Sequence, residues 1–304
     1  MTDRNVVTLL PSATEIVYAL GAEPVAVSHE CDYPPPAQQK PRANSCVIDP
    51  NASSAEINDQ LDANDQIYEI KQDVLREVNA DLIITQGICD VCAVDQILVH
   101  DVLNEMDLDT DILTTDPHSI DDILADIRRI GNAIGHSKEA ESLIDDLRSR
   151  INTIQHLGSD VDNIDSRRCL VLDWMEPPMV AGHWIPEMIE MVGGTYGITE
   201  HGSASRPIEF DEIVAFDPET LIIAPCGYEI DHTKRDIDEL RQREGWNQLT
   251  AVQEKEVYIM DGEIINCPSP RLIDSLETFG HLLHPDVFEK PTQPFEALQF
   301  LEAA

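Results

Sequence analysis

Short apolar runs recur along the chain, separated by amphipathic stretches. Residues 6–10, 24–28, 82–85 and 111–114 read as buried strands in the first part of the chain. Residues 169–173, 221–224 and 257–260 read the same way further on. Helices are predicted between them. Ser12-Ala13-Thr14-Glu15 has the form of a capping box, with Ser12 at the N-cap and Gly21 as the stop. Ser53 and Glu56 form a second box. Residues 73–79 are helical, and 93–106 place Val94, Ile97, Leu98, Val102 and Leu103 at helical spacing. Residues 185–192, 208–216, 233–243 and 270–284 complete the helical segments.

The pattern changes at Ser119. Residues 119–157 carry no strand signal. Ser119 caps one helix, with Asp121 and Asp122 in its first turn. Gly135-His136 interrupts, and Ser137 caps a longer helix that runs to Leu157, followed by a polar link over 158–166. Two alternating halves around a helical segment predict an α/β fold with two Rossmann-like lobes joined by one long backbone helix. The expected boundaries are 1–118 for the first lobe, 119–157 for the helical segment, 158–285 for the second lobe and 286–304 for an acidic tail. A weak internal repeat fits this plan. Residues 73–84 and 211–222 each read as an acidic-started helix, a tight turn and a buried strand, although two ordinary αβ units resemble each other by chance as well.

Charge narrows the partners. The 304 residues carry 58 Asp and Glu against 20 Lys and Arg, a net charge of −38 spread along the whole chain. That excludes a basic face for nucleic acid and disfavours adsorption to anionic lipid. Only six of the basic residues are Lys. A charge this large repels itself in dilute salt and is screened in molar salt, where the Debye length falls to about 3 Å, so the expectation is a halophilic protein. No apolar run is long enough to span a membrane. Met1-Thr2-Asp3-Arg4-Asn5 leads straight into the first strand, with no apolar leader, so the sequence as it stands reads as cytoplasmic, or as extracytoplasmic if the start codon is mis-assigned or the chain trimmed. The seven cysteines, an odd number, suit a reducing compartment.

The chemistry-bearing residues cluster just after strands, where ligands bind in open α/β sheets. These loops hold Pro11-Ser12, then His29-Glu30-Cys31-Asp32-Tyr33-Pro34, then Cys89-Asp90-Val91-Cys92. The second half offers Trp174, Ala181-Gly182-His183-Trp184 and Cys226-Gly227-Tyr228. Cys89 and Cys92 open a helix and fit a redox couple, a metal-binding pair or two structural thiols. His29, Cys31 and His183 are further donors that would complete a metal site with them, or remain satisfied polar residues. Aromatics are only 5% of the chain, yet Tyr33, Trp174, Trp184 and Tyr228 all fall in these loops, as a large flat ligand requires. Arg271, after Pro268-Ser269-Pro270, would pair with an anionic group of a ligand or stand as a surface Arg. Gly-x-Ser-x-Gly, Walker and Gly-x-Gly-x-x-Gly motifs are absent, which removes hydrolase and nucleotide readings.

The opening, Val6-Val7-Thr8-Leu9-Leu10-Pro11-Ser12-Ala13-Thr14-Glu15, resembles that of the cobalamin- and iron-siderophore-type substrate-binding proteins of ABC importers. Asp81-Leu82-Ile83-Ile84 and Pro218-Glu219-Thr220-Leu221 resemble the strand-entry motifs of that group. The motifs around His29, Cys89 and His183 are similar to those of cobalamin-binding proteins of bacteria and archaea. The resemblance implies a non-enzymatic protein that holds a corrinoid or related metal chelate in a cleft between lobes, requires no cofactor, and works as a monomer with an ABC permease. It implies ligand contacts from the loop residues above. It also implies permease docking through Asp73 and Asp211, which stand where the family carries Glu. The alternative is an intracellular metal- or corrinoid-handling protein or enzyme built on the Cys and His residues and not coupled to transport.

Overall fold

The computed structural model describes residues 4–64, 66–87, 94, 96–161, 166–291 and 294–297. Contacts divide the chain into two units. One is Met1–Asp49, Asp59–Leu147 and Pro268–Pro270; the other is Pro50–Asn58, Arg148–Cys267 and Arg271–Ala304.

The first unit is built on four parallel strands: β1 (Val6–Thr8), β2 (Ala26–Val27), β5 (Leu82–Gln86) and β6 (Asp111–Thr115), in the order β2-β1-β5-β6. Every residue of β1 and β5 is buried. That is why these strands read as unbroken apolar runs rather than alternating ones. β3 (Asn44–Cys46) and β4 (Tyr68–Ile70) form a separate antiparallel pair. The second unit holds a six-stranded sheet. Its parallel centre is β7 (Cys169–Met175), β10 (Thr220–Ile223) and β11 (Val257–Met260). β8 (Pro178–Val180) and β9 (Arg206–Pro207) extend it antiparallel on one side, and β12 (Phe295–Ala297) on the other.

The internal repeat is real and in register. The helices Gln72–Val78 and Phe210–Phe216 each end in a left-handed residue, Asn79 at φ 48° and Asp217 at φ 49°. β5 and β10 follow. Val6 pairs with Leu82 as Cys169 pairs with Thr220. The acid before each strand accepts the backbone N–H of the residue before its neighbour: Asp81 from Asn5 at 2.8 Å, Glu219 from Arg168 at 3.0 Å. These carboxylates close off N–H groups that the sheet ladders leave open.

The long helix runs Ser137–Val161, and the boundary between the units falls within it, after Leu147. Ala140, Ile144, Leu147, Ile151 and Ile154 make its buried stripe at helical spacing. The expected polar link at 158–166 is corrected here, because the helix continues through Gly158. A Cβ on Gly158 would lie 2.1 Å from the Met191 carbonyl oxygen, so this glycine serves a close approach and not a stop.

Three other expectations differ. Ser12 is not an N-cap: Leu10 takes that position, Pro11 occupies the first turn, and Ser12 is buried inside the helix Pro11–Ala19. The fixed φ of proline favours the first helical position, and it outweighs the Ser signal. The Ser53 box forms as expected, with the Ser53 N–H and hydroxyl both on Glu56. The helix expected over 233–243 is two short ones, Ile230–Asp236 and Asp238–Arg241. Part of the expected tail is structured, with Phe295 of β12 opposite Met260 of β11.

Candidate functional site

In the second unit, Leu172, Ile223 and Ile259 lie in register across the parallel strands, so Asp173, Ala224 and Met260 mark the carboxyl edge of the sheet. β7 continues past that edge and folds back as β8, with Trp174 opposite Met179. The chain then enters Ala181-Gly182-His183-Trp184.

His183 has φ 52°, in the left-handed region. For a residue with a side chain this costs about 1–2 kcal/mol, and it persists only where the surroundings enforce it. Here the 202–205 loop enforces it. The His183 N–H donates to the Ser203 carbonyl at 2.6 Å, and the Gly202 N–H donates to the His183 carbonyl at 3.1 Å. Gly182 makes the approach possible, since a Cβ there would lie 2.2 Å from the Ser203 oxygen. The Gly182 N–H donates to Ser205 Oγ at 3.0 Å, and that hydroxyl donates to Asp173 Oδ2. The other carboxylate oxygen of Asp173 is buried with no hydrogen-bond partner among the described residues. Burial pushes the Asp173 carboxyl up to about 6, partly offset by Ser205. The His183 ring is half-buried and lies 5.6 Å from the Trp184 ring.

The aromatics divide. Trp174 is half-buried. Trp184 is 4% exposed, and its indole N–H donates to the Ile265 carbonyl at 3.1 Å. Tyr228 is 2% exposed, stacked on His232 at 3.6 Å and edge-on to Trp174 at 5.4 Å. Its hydroxyl donates to the Ala52 carbonyl at 3.2 Å. Ser54 bonds Glu239, and Asn58 donates to the Glu176 carbonyl, so residues 50–58 are fastened over this corner of the second unit. Trp184 and Tyr228 therefore pack in the interior of the second unit, as large rings do where the polar tip finds a partner. Cys226 is half-buried, with its N–H on the Asp173 carbonyl at 3.0 Å. Arg271 is half-buried and its charge acts on Asp261, which burial otherwise pushes upward.

In the first unit, β2 leads into the His29 loop. The His29 N–H donates to Asn44 Oδ1 at 2.9 Å, its ring sits 5.8 Å from Tyr68, and Nε2 is 3.5 Å from Glu30. Burial, with Arg42 and Lys71 also nearby, holds the ring below its usual value near 6.5, so it is neutral at neutral pH. Arg42 organises the loop by donating to the carbonyls of Ser28 and Cys31 and to Asp32, each at 2.9 Å. Tyr33 is 46% exposed. Cys31 is 0% exposed and receives the Thr14 hydroxyl at 3.0 Å, and burial pushes its thiol up to about 12. The thiol is thus held protonated within the packing of the first unit. Cys89 and Cys92 lie outside the described residues. Among the described residues no group of three His, Cys, Asp or Glu comes together to hold a metal ion.

Asp73 and Asp211 are exposed in the first turns of the two repeated helices. The sequence reading passed over Asp173, Ser205 and Arg42. An acid ending the apolar run Cys169-Leu170-Val171-Leu172 was the available signal for the first.

The family described as periplasmic binding protein matches residues 6–264. An ABC transporter substrate-binding lipoprotein of Bacillus subtilis is 21% identical over 291 residues, which is 94% of this chain and 82% of that protein. A vitamin B12-binding protein of Vibrio cholerae is 22% identical over 279 residues, covering 90% of this chain and 86% of its own. The solved structure of a periplasmic heme-binding protein from Pseudomonas aeruginosa superposes with a TM-score of 0.73 at 16% identity, covering 95% of each chain.

Proposed function

Since the chain belongs to the periplasmic binding protein family, whose members bind solutes and are not enzymes, we propose that its solute is a corrinoid, bound through the metal centre. The observation that carries this reading is His183. A half-buried imidazole at the edge of a sheet, fixed in a strained backbone by a dedicated loop, suits an axial donor to a metal held in a macrocycle. The similarity to a vitamin B12-binding protein favours a corrinoid over other chelates. The fold is equally compatible with heme, which makes heme the competitor in the test.

Trp174, Cys226 and Arg271, each half-buried, are proposed as the further ligand contacts of the second unit. In the first unit, His29, Glu30, Asp32 and Tyr33 are proposed for ligand contact together with Ser12, which is buried in the helix Pro11–Ala19. The ligand is cargo, and no resident cofactor is invoked. Asp73 and Asp211 are proposed as acidic docking points for the basic face of an ABC permease, with the protein acting as a monomer outside the cytoplasm, where the lipoprotein and periplasmic relatives act. This replaces the cytoplasmic expectation. None of the described helices is long and apolar enough to cross a membrane.

The test is an absorbance titration with aquacobalamin and, separately, with hemin. The reading requires saturable binding of aquacobalamin with a shift of its visible bands, weakened at least about 10-fold by His183→Ala. Tight hemin binding without cobalamin binding would transfer the proposal to heme. Binding of either that is indifferent to His183→Ala would sink the role of that residue.

A further inference from the structure

We propose that Asp173 and Ser205 form a positioning relay that holds the Gly182-His183 turn in the conformation that presents the imidazole; this rests on the reading of His183 as a ligand contact. The relay has a fixed direction. Ser205 Oγ accepts the Gly182 N–H at 3.0 Å, which leaves its single proton for Asp173 Oδ2, an oxygen that accepts. Asp173 is itself anchored within β7, one of the two middle strands of the six-stranded sheet, with its own carbonyl receiving the Cys226 N–H at 3.0 Å. The turn is thus tied to the sheet rather than floating on its loop. The two backbone bonds between His183 and the 202–203 segment set the left-handed φ, and the Ser205 hydroxyl locks the neighbouring peptide.

What the relay needs from position 173 is an acceptor and not a charge. Asn retains a carbonyl oxygen for the Ser205 hydroxyl, whereas Ser205→Ala removes both of the bonds that cross the relay. The remaining oxygen of Asp173 is buried and has no hydrogen-bond partner among the described residues. The buried Tyr196 is near enough for the two groups to interact electrostatically; its hydroxyl donates to the Ala181 carbonyl at 2.8 Å, with the Val171 carbonyl at 3.2 Å.

Amide hydrogen exchange at Gly182 and His183 reads the relay directly, and aquacobalamin affinity reads its consequence. Ser205→Ala is expected to speed exchange at both amides and to weaken aquacobalamin about 10-fold, the usual scale for a residue that orients a metal's donor. Asp173→Ala, which removes the acceptor, should speed exchange at both amides, and Asp173→Asn, which keeps it, should speed it less; equal exchange in the two overturns the relay. In a His183→Gly background, where the turn is relaxed and the imidazole gone, Ser205→Ala should cause no further loss of affinity. Unchanged exchange in Ser205→Ala overturns the relay. So does an affinity loss of the same size in both backgrounds, because the residue then acts on the ligand by another route. If His183→Ala alone leaves affinity intact, the site reading fails, while the exchange data still decide whether the relay holds the turn.

Discussion

Asp173 gives a stability prediction with a definite sign. Burial raises its carboxyl from 3.8 to about 6. The unfolded chain releases that proton near 3.8 and the folded protein keeps it to about 6, so unfolding releases a proton in this window. Stability from this group is therefore full at low pH and is lost as pH rises through it. Two pH units at ~1.36 kcal/mol each make the full loss about 3 kcal/mol. Roughly 1 kcal/mol of this is already gone at pH 4.5, which leaves about 2 kcal/mol between pH 4.5 and 7.5. Asp173→Asn removes the titration and keeps the acceptor for Ser205. Its amide N–H groups are buried without a ready partner, a penalty present at both pH values. The difference between variant and parent, compared across pH, cancels that penalty and cancels every other acid, including Asp126, which is also raised to about 6. Urea unfolding of both proteins in molar salt, near pH 4.5 and 7.5, measures it. The variant should gain about 2 kcal/mol relative to the parent on going to the higher pH. A relative stability that stays constant across pH, or moves the other way, would falsify the claim that desolvation raises the Asp173 carboxyl.

Three further outcomes are expected. The melting temperature should rise between about 0.1 M and molar NaCl, as screening relieves the repulsion of a net charge of −38; a melting temperature unmoved by salt removes the halophile reading. Cys31 and Cys169 should stay unlabelled by iodoacetamide at pH 8 in the folded protein and label once it is unfolded, as peptide mapping would reveal, because burial holds both thiols protonated. Gly158→Ala should destabilise by about 1–3 kcal/mol in denaturant melts, since its methyl meets the Met191 carbonyl; a neutral effect means the helix yields there.

The strands of each sheet's parallel core were largely legible, though not their order, because strands buried on both faces declare themselves as apolar runs. β1, β5, β7, β10 and β11 all carry that mark. The strands that escaped are short or at sheet edges: the β3–β4 pair, β8, β9 and β12 have two or three residues each and no run to read. The repeat was visible only as a faint likeness of 73–84 and 211–222. Its proof is geometric, in matched left-handed caps and matched carboxylate bonds at Asp81 and Glu219. The site was half legible. Position after a strand found His29 and His183, but burial sorts the neighbours, and it is tertiary packing that sends Cys31, Trp184 and Tyr228 inward. A left-handed His183 has no signature of its own in sequence; Gly182 beside it is the trace of the close approach.

The central claim is that this binding protein takes a corrinoid through His183. The most direct measurement is the visible spectrum of aquacobalamin titrated with the parent protein and with His183→Ala. The parent should bind at one equivalent with shifted bands characteristic of an imidazole axial ligand, and the variant should bind more weakly without that shift. A parent protein that leaves the spectrum of aquacobalamin unchanged at full excess contradicts the account.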